Sequence, residues 1–127
     1  NAFEFAQIQV GKLAEMISKV KKSMKILKNL AYMEMVDSGA SGAVNFVLGL
    51  SGKHVGIAYK ERTDHGIYAV SVRGSRSCKV HLGKLVSSIA NDLGGSGGGH
   101  DKACGAVIPK DKIKKFVSKM NSQLGTV

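Results

Sequence analysis

The hydrophobic positions of this chain change period several times, and each change marks an element. Across residues 5–29, Leu13, Met16, Ile17, Val20, Met24 and Leu27 recur at helical spacing and fall on one broad stripe. That pattern predicts a long amphipathic helix, with Gly11 as the one place it could break. Lys12, Lys19, Lys21, Lys22, Lys25 and Lys28 spread over the rest of its circumference. They read as a solvated face or as a docking surface for a neighbouring domain or nucleic-acid strand. In LAYMEMV, residues 30–36, side chains alternate, and the segment predicts a strand that is apolar on both faces apart from Glu34. Asp37 and Ser38 offer an N-cap to a short helix that runs to Leu50 and closes at Ser51-Gly52. HVGIAYK (54–60) and IYAVSVR (67–73) then read as antiparallel strands joined by RTDHG, with Gly66 available for positive φ.

A loop, GSRSCKV, leads to a helix over 82–93 with Leu82, Leu85, Val86, Ile89 and Leu93 on one face. A short strand, CGAVI, and a last helix over 111–124, preceded by Pro109, complete the pattern. The order α-β-α-β-β-α-β-α predicts an α/β chain of the α+β kind. It is a mixed sheet of four to five strands with helices packed on it, preceded by the long amphipathic helix. At 127 residues with 43% hydrophobic content, this is one folded domain with a core of its own. No apolar run reaches the length of a membrane span, and no signal-peptide pattern is present. The Asn1-Ala2 start reads as a tag scar ahead of an excised domain, so the natural protein is expected to be longer. Cys78 and Cys104 lack metal-ligand spacing and read as free thiols of a cytoplasmic protein.

Charge changes the picture more than composition does. Nineteen Lys and Arg against nine Asp and Glu give a net charge of +10. Such an excess in a small domain points to a polyanionic partner, nucleic acid before membrane.

The low-complexity stretch GGSGGGHDKACGA, residues 94–106, falls between a helix and a strand of one small core. It is therefore a poor linker. The other reading is an anion site, where Gly97, Gly98 and Gly99 let backbone N–H groups approach a phosphate and His100 adds an imidazole donor. The stretch is not a Walker loop, because no Gly-Lys-Ser/Thr follows. Nor is it a dinucleotide fingerprint, which follows a strand and opens a helix. A second motif, SVRGSRS, sets Arg73 at a strand end with Ser75 in the following turn. An arginine fork with hydroxyls beside it can receive a phosphate, or Arg73 can pair with a surface carboxylate.

The run SVRGS…GGSGGGHDKACGA followed by IP resembles the first type of DHH-associated domain. This domain ends DHH-family phosphoesterases such as the RecJ-type single-strand exonucleases and the oligoribonucleases, and the form here is most similar to the archaeal branch. The resemblance covers residues 30–124 and makes 1–29 a helical connector. It implies a substrate-binding domain that grips nucleic-acid phosphates through Arg73, Ser75, Gly97, Gly98, Gly99 and His100. Its partners would be single-stranded nucleic acid or a short oligonucleotide, and an N-terminal DHH catalytic domain of the same chain holding manganese or magnesium. Cys104 departs from the family, which commonly has alanine there. The alternatives are a tRNA-binding module of the alanyl-tRNA synthetase type, or a non-catalytic replication scaffold. The chain itself lacks an Asp-His-His triplet, and its five Asp and four His are scattered singly. No catalytic or metal-ligating residue is therefore assigned, and the domain alone is expected to be inactive.

Overall fold

The computed structural model describes residues 2–36, 39–62 and 65–125. Helix α1 (Ala2–Ser23) is followed by strands β1 (Lys25–Ile26) and β2 (Ala31–Met35), helix α2 (Ala40–Ser51), and strands β3 (Val55–Arg62) and β4 (Ile67–Gly74). Helix α3 (Leu82–Asp92), strands β5 (Ser96–Gly99) and β6 (Ala103–Pro109), a 3-10 turn (Lys110–Lys112) and helix α4 (Ile113–Leu124) complete the chain. Among the described residues, six strands form one sheet in the order β1-β2-β3-β4-β6-β5. Only β2 and β3 run parallel, joined through α2; the other pairs are antiparallel.

Two apolar cores lie on the two faces of this sheet. One face packs Ile57, Val70, Val72, Cys104 and Ile108 against Leu82, Val86 and Ile89 of α3 and Phe116 and Met120 of α4. The other packs Met33, Met35 and Ala58 against Val44 and Val47 of α2 and Val20 of α1. Strict alternation in β4 and β6, where every second residue is buried, sends one set of side chains to α3 and α4. The opposite set meets α2 only as far as β4.

The long first helix ends earlier than its periodicity predicts. Met24 and Leu27 continue the apolar stripe, but the chain turns at Ser23. Lys25 and Ile26 then pair with Tyr32 and Ala31, and the Leu27 N–H donates to the Leu30 carbonyl at 2.8 Å. Both side chains still pack on the cores, so the stripe is real while the helix is not. Helix α2 takes Gly39 as its N-cap, without a side-chain bond, and closes at Gly52 with φ of 72°. The expected cap at Asp37-Ser38, the turn residue Asp64 and the terminal Asn1 lie outside the described residues. Gly66 takes φ of 63° in the β3–β4 turn, as expected.

Candidate nucleic-acid phosphate site

The glycine-rich stretch is a strand. Gly97, Gly98 and Gly99 pair with Ala106, Gly105 and Cys104, making β5 the edge of the sheet under α3. Most of its glycines are demanded by packing. A Cβ on Gly97 would meet the Ala106 Cβ at 2.8 Å and the Gly105 carbonyl oxygen at 2.9 Å. One on Gly83 of α3 would sit 2.2 Å from the Gly99 oxygen, so helix and strand touch backbone to backbone. Gly98 differs: its Cβ position opens onto free space, while its φ of 152° is one that side-chain-bearing residues rarely adopt.

The backbone donors here alternate, with Gly97 and Gly99 N–H facing the open edge of the sheet and the residue between them facing β6. The His100 N–H donates to the Ala103 carbonyl at 3.0 Å, and Gly98, two residues earlier in the strand, faces the same neighbour. This differs from a loop of successive free N–H groups. The start of α3 is closed. Leu82 N–H and Gly83 N–H donate to the carbonyls of Asp101 and His100 at 2.9 and 3.1 Å. Lys84 N–H donates to Nδ1 of the N-cap His81 at 3.1 Å, and Leu85 N–H to the His81 carbonyl. An anion at the start of α3 must be met by side chains.

The structure brings the sequence-derived residues to one end of the sheet. Arg73 lies opposite Ala103 across β4 and β6, and Ala103 accepts from His100, so the three form a row. Arg73 also lies opposite Gly56, whose face meets α2, while Gly98, Gly105 and Ser71 share one row on that same face. Beyond α2 this face forms a shelf. Ser71, Ala103, Gly105 and Gly98 are half-buried, neither covered nor bulky, and Val107, opposite Ala69 in the next row of the same face, bounds them. The Arg73 head lies over the shelf, with Nη1 donating to the carbonyls of Val72 at 2.9 Å and Cys104 at 3.3 Å. Among the described residues no carboxylate pairs with it, and the rest of its fork has no protein acceptor. Arg73 and Gly98 stand two strands apart and two residues offset, roughly 12 Å between backbones, a gap that an arginine side chain crosses in part.

Ser75 lies past the strand end, its Oγ 2.9 Å from His54 Nδ1. Sequence pattern gave His54 no partner, because the contact depends on the β3–β4 pairing. Lys102 was also missed: its Nζ donates to the Cys78 carbonyl and its own carbonyl accepts from Gly74 N–H at 2.9 Å, pinning the loop after β4. Both cysteines are buried free thiols. Burial pushes the Cys104 thiol up to about 11, with the Arg73 charge opposing. No group of three or more His, Cys, Asp or Glu that could hold a metal occurs among the described residues. Among them, no helix is long and apolar enough to cross a membrane.

Similarity to known proteins gives the family and the fold. A protein of Methanocaldococcus jannaschii, MJ0831, is 34% identical over 116 residues, which is 87% of this chain and 25% of that protein. The chain thus spans about a quarter of that relative's length. Among solved structures, the pGpG-specific phosphodiesterase PggH of Vibrio cholerae superposes with a TM-score of 0.68 at 16% identity, over 89% of this chain and 38% of that one. The C-Ala domain of Aquifex aeolicus alanyl-tRNA synthetase gives 0.61 at 15% identity, over 80% and 97%. At these identities the solved structures speak for the fold. The DHHA1 domain profile matches residues 27–126, and the chain belongs to the DHHA1 domain family.

Proposed function

We propose that this domain binds the phosphates of single-stranded nucleic acid or a short oligonucleotide and presents them to a DHH-type catalytic domain on the same polypeptide. The parent would be a cytoplasmic, metal-dependent phosphoesterase, in our reading a single-strand exonuclease of the RecJ kind. The observation that carries this is the open shelf of β4, β6 and β5. It joins a guanidinium without a carboxylate partner to two rows of glycine, alanine and serine, so a phosphodiester can reach the sheet beside Arg73 without meeting bulk. Arg73 would supply the charged fork. Ser71 and Ser75 would supply hydroxyls, and His100 would donate from the turn beyond. Gly98 keeps the approach clear.

The divalent metal expected of such an enzyme finds no fitting ligand set among the described residues, so we assign it to the catalytic domain. The role of this chain is to hold the strand in register. Sequence-independent recognition follows, since phosphate contacts position a strand and do not read its bases.

Fluorescence anisotropy with labelled oligonucleotides tests the reading. With about 3–5 phosphate contacts, the log–log salt slope should lie at roughly −2 to −3.5. A flat salt response, or strong preference for one base sequence, would overturn it. Preference for folded tRNA over single strands would turn the assignment toward the synthetase-type module.

A further inference from the structure

Beyond the shelf, at the same end of the sheet, a cleft of about 510 Å³ opens between the β3 start, the loop after β4 and the end of α4. Its rim carries Lys28, Lys53, His54 and Lys79, and its walls include Val55, Val80 and Leu124. No Asp or Glu lines it among the described residues. Lys53 Nζ donates to the Lys28 carbonyl at 3.1 Å, which holds one ammonium over the opening with two of its three donors to spare. Cationic groups without acids, set above apolar walls in a space of nucleotide size, match an anion that carries an apolar part.

We infer that this cleft is a second subsite, which takes the phosphate and sugar of a nucleotide further along the strand held on the shelf. The inference rests on the phosphate-binding reading and extends it. Three observations place the two sites on one path. Ser75 stands two residues beyond Arg73, about 7 Å on in extended chain. Ser75 shares its hydroxyl with His54, a residue of the cleft rim. Ser77, two residues further, lines the cleft itself. Alternate residues of one loop thus lead from the shelf over the end of the sheet into the cleft. A dinucleotide fills the shelf; a longer strand reaches the lysines.

The test measures binding of this chain to single-stranded oligothymidylates and oligouridylates, each two and six nucleotides long. The proteins compared are the parent, Lys28→Ala/Lys79→Ala, Arg73→Ala, and a control of equal charge loss on α4, Lys115→Ala/Lys119→Ala. Lys28 and Lys79 are exposed, so their replacement leaves the core intact. The cleft variant should bind hexanucleotides about tenfold more weakly and the dinucleotide unchanged. Its hexanucleotide salt slope should fall in magnitude by about 1.4, from ~0.7 per lost contact. Arg73→Ala should weaken both lengths. Equal losses at both lengths, or a loss matched by the α4 control, would reduce the effect to general electrostatics and overturn the subsite. No loss in the cleft variant while Arg73→Ala weakens binding would remove the subsite and leave the shelf. No effect of Arg73→Ala, or no binding by the parent chain, would remove both.

Discussion

Arg73 Nη1 donates to the Cys104 carbonyl at 3.3 Å across the β4–β6 pair, so the guanidinium lies along the sheet face instead of projecting from the strand end. Backbone carbonyls hold the head in place, and neither neutralises its charge. Replacing Arg73 by alanine should weaken oligonucleotide binding by about 1–3 kcal/mol, the range of charge-assisted bonds. Arg73→Lys should recover only part, because a point charge lacks the planar fork. Titration calorimetry measures both. Urea denaturation should show little change in stability, since the two carbonyls keep their place in the ladder.

Gly97 and Gly83 should tolerate no side chain. Gly97→Ala drives a methyl against Ala106, the Gly105 carbonyl and Val86, and an overpacked contact of this kind costs about 1–3 kcal/mol. Gly83→Ala should cost at least as much, since its methyl would overlap the Gly99 carbonyl and lift α3 from β5. Gly98→Ala meets open space, so its cost should be only that of the backbone conformation, about 1–3 kcal/mol. Urea midpoints read all three, and a Gly97→Ala protein as stable as the parent would contradict the close packing.

Tyr59 stacks on Tyr32 with centroids 6.5 Å apart and meets Tyr68 edge-on at 5.0 Å. Burial, with Glu34 and the other two tyrosines adding, pushes its hydroxyl up to about 12; burial also raises Tyr68. A group whose folded-state value is raised adds stability that is complete below the unfolded value near 10 and is lost as pH rises toward 12. Thermal melting should therefore begin to fall above pH 9 as the raised Cys104 thiol enters, with the tyrosine part of the fall between 10 and 12. Tyr59→Phe should shallow that fall, and absorbance at 295 nm should show the late ionisation directly.

Cys104, raised to about 11 by burial, and the buried Cys78 should react with Ellman's reagent at pH 8 only as fast as the fold opens. Equal rates in native buffer and in denaturant would show that the thiols are accessible.

The chain alone should not hydrolyse single-stranded DNA or RNA with manganese or magnesium. Its described residues hold no candidate metal cluster. Metal-dependent cleavage that follows the protein through purification and disappears with a mutation in it would refute this.

Side-chain alternation made much of the fold legible. The β3–β4 hairpin, α2, α3 and α4 follow from residues such as Ile57, Val70, Ile89 and Phe116, whose periods match their burial. The two strands that periodicity did not give failed for opposite reasons. Lys25–Ile26 is too short to show a period and sits inside a stripe that reads as helix. Ser96–Gly99 has almost no side chains with which to show one, and is a strand only because β6 pairs with it. The candidate site was partly legible as residue types, Arg73 at a strand end and His100 after glycines. The shelf was not, because it depends on β6 lying between β4 and β5, and small residues such as Gly105 signal nothing until their neighbours are known. The cleft joins residues from 28 to 124, a juxtaposition that no local pattern encodes.

The interior position of β6 also governs the order in which the molecule can assemble. When residue 102 leaves the ribosome, β4 has one open edge and β5 has no partner at all. Of the two helices that cover the apolar side of the sheet, only α3 has yet been made. The domain can close only after residues 103–124 have emerged and threaded between two segments made earlier. Such long-range strand pairing places folding on the order of milliseconds to seconds. Until then Val70 and Val72 are covered only as far as α3 reaches, so residues 103–124 decide whether the segments made before them stay soluble during synthesis.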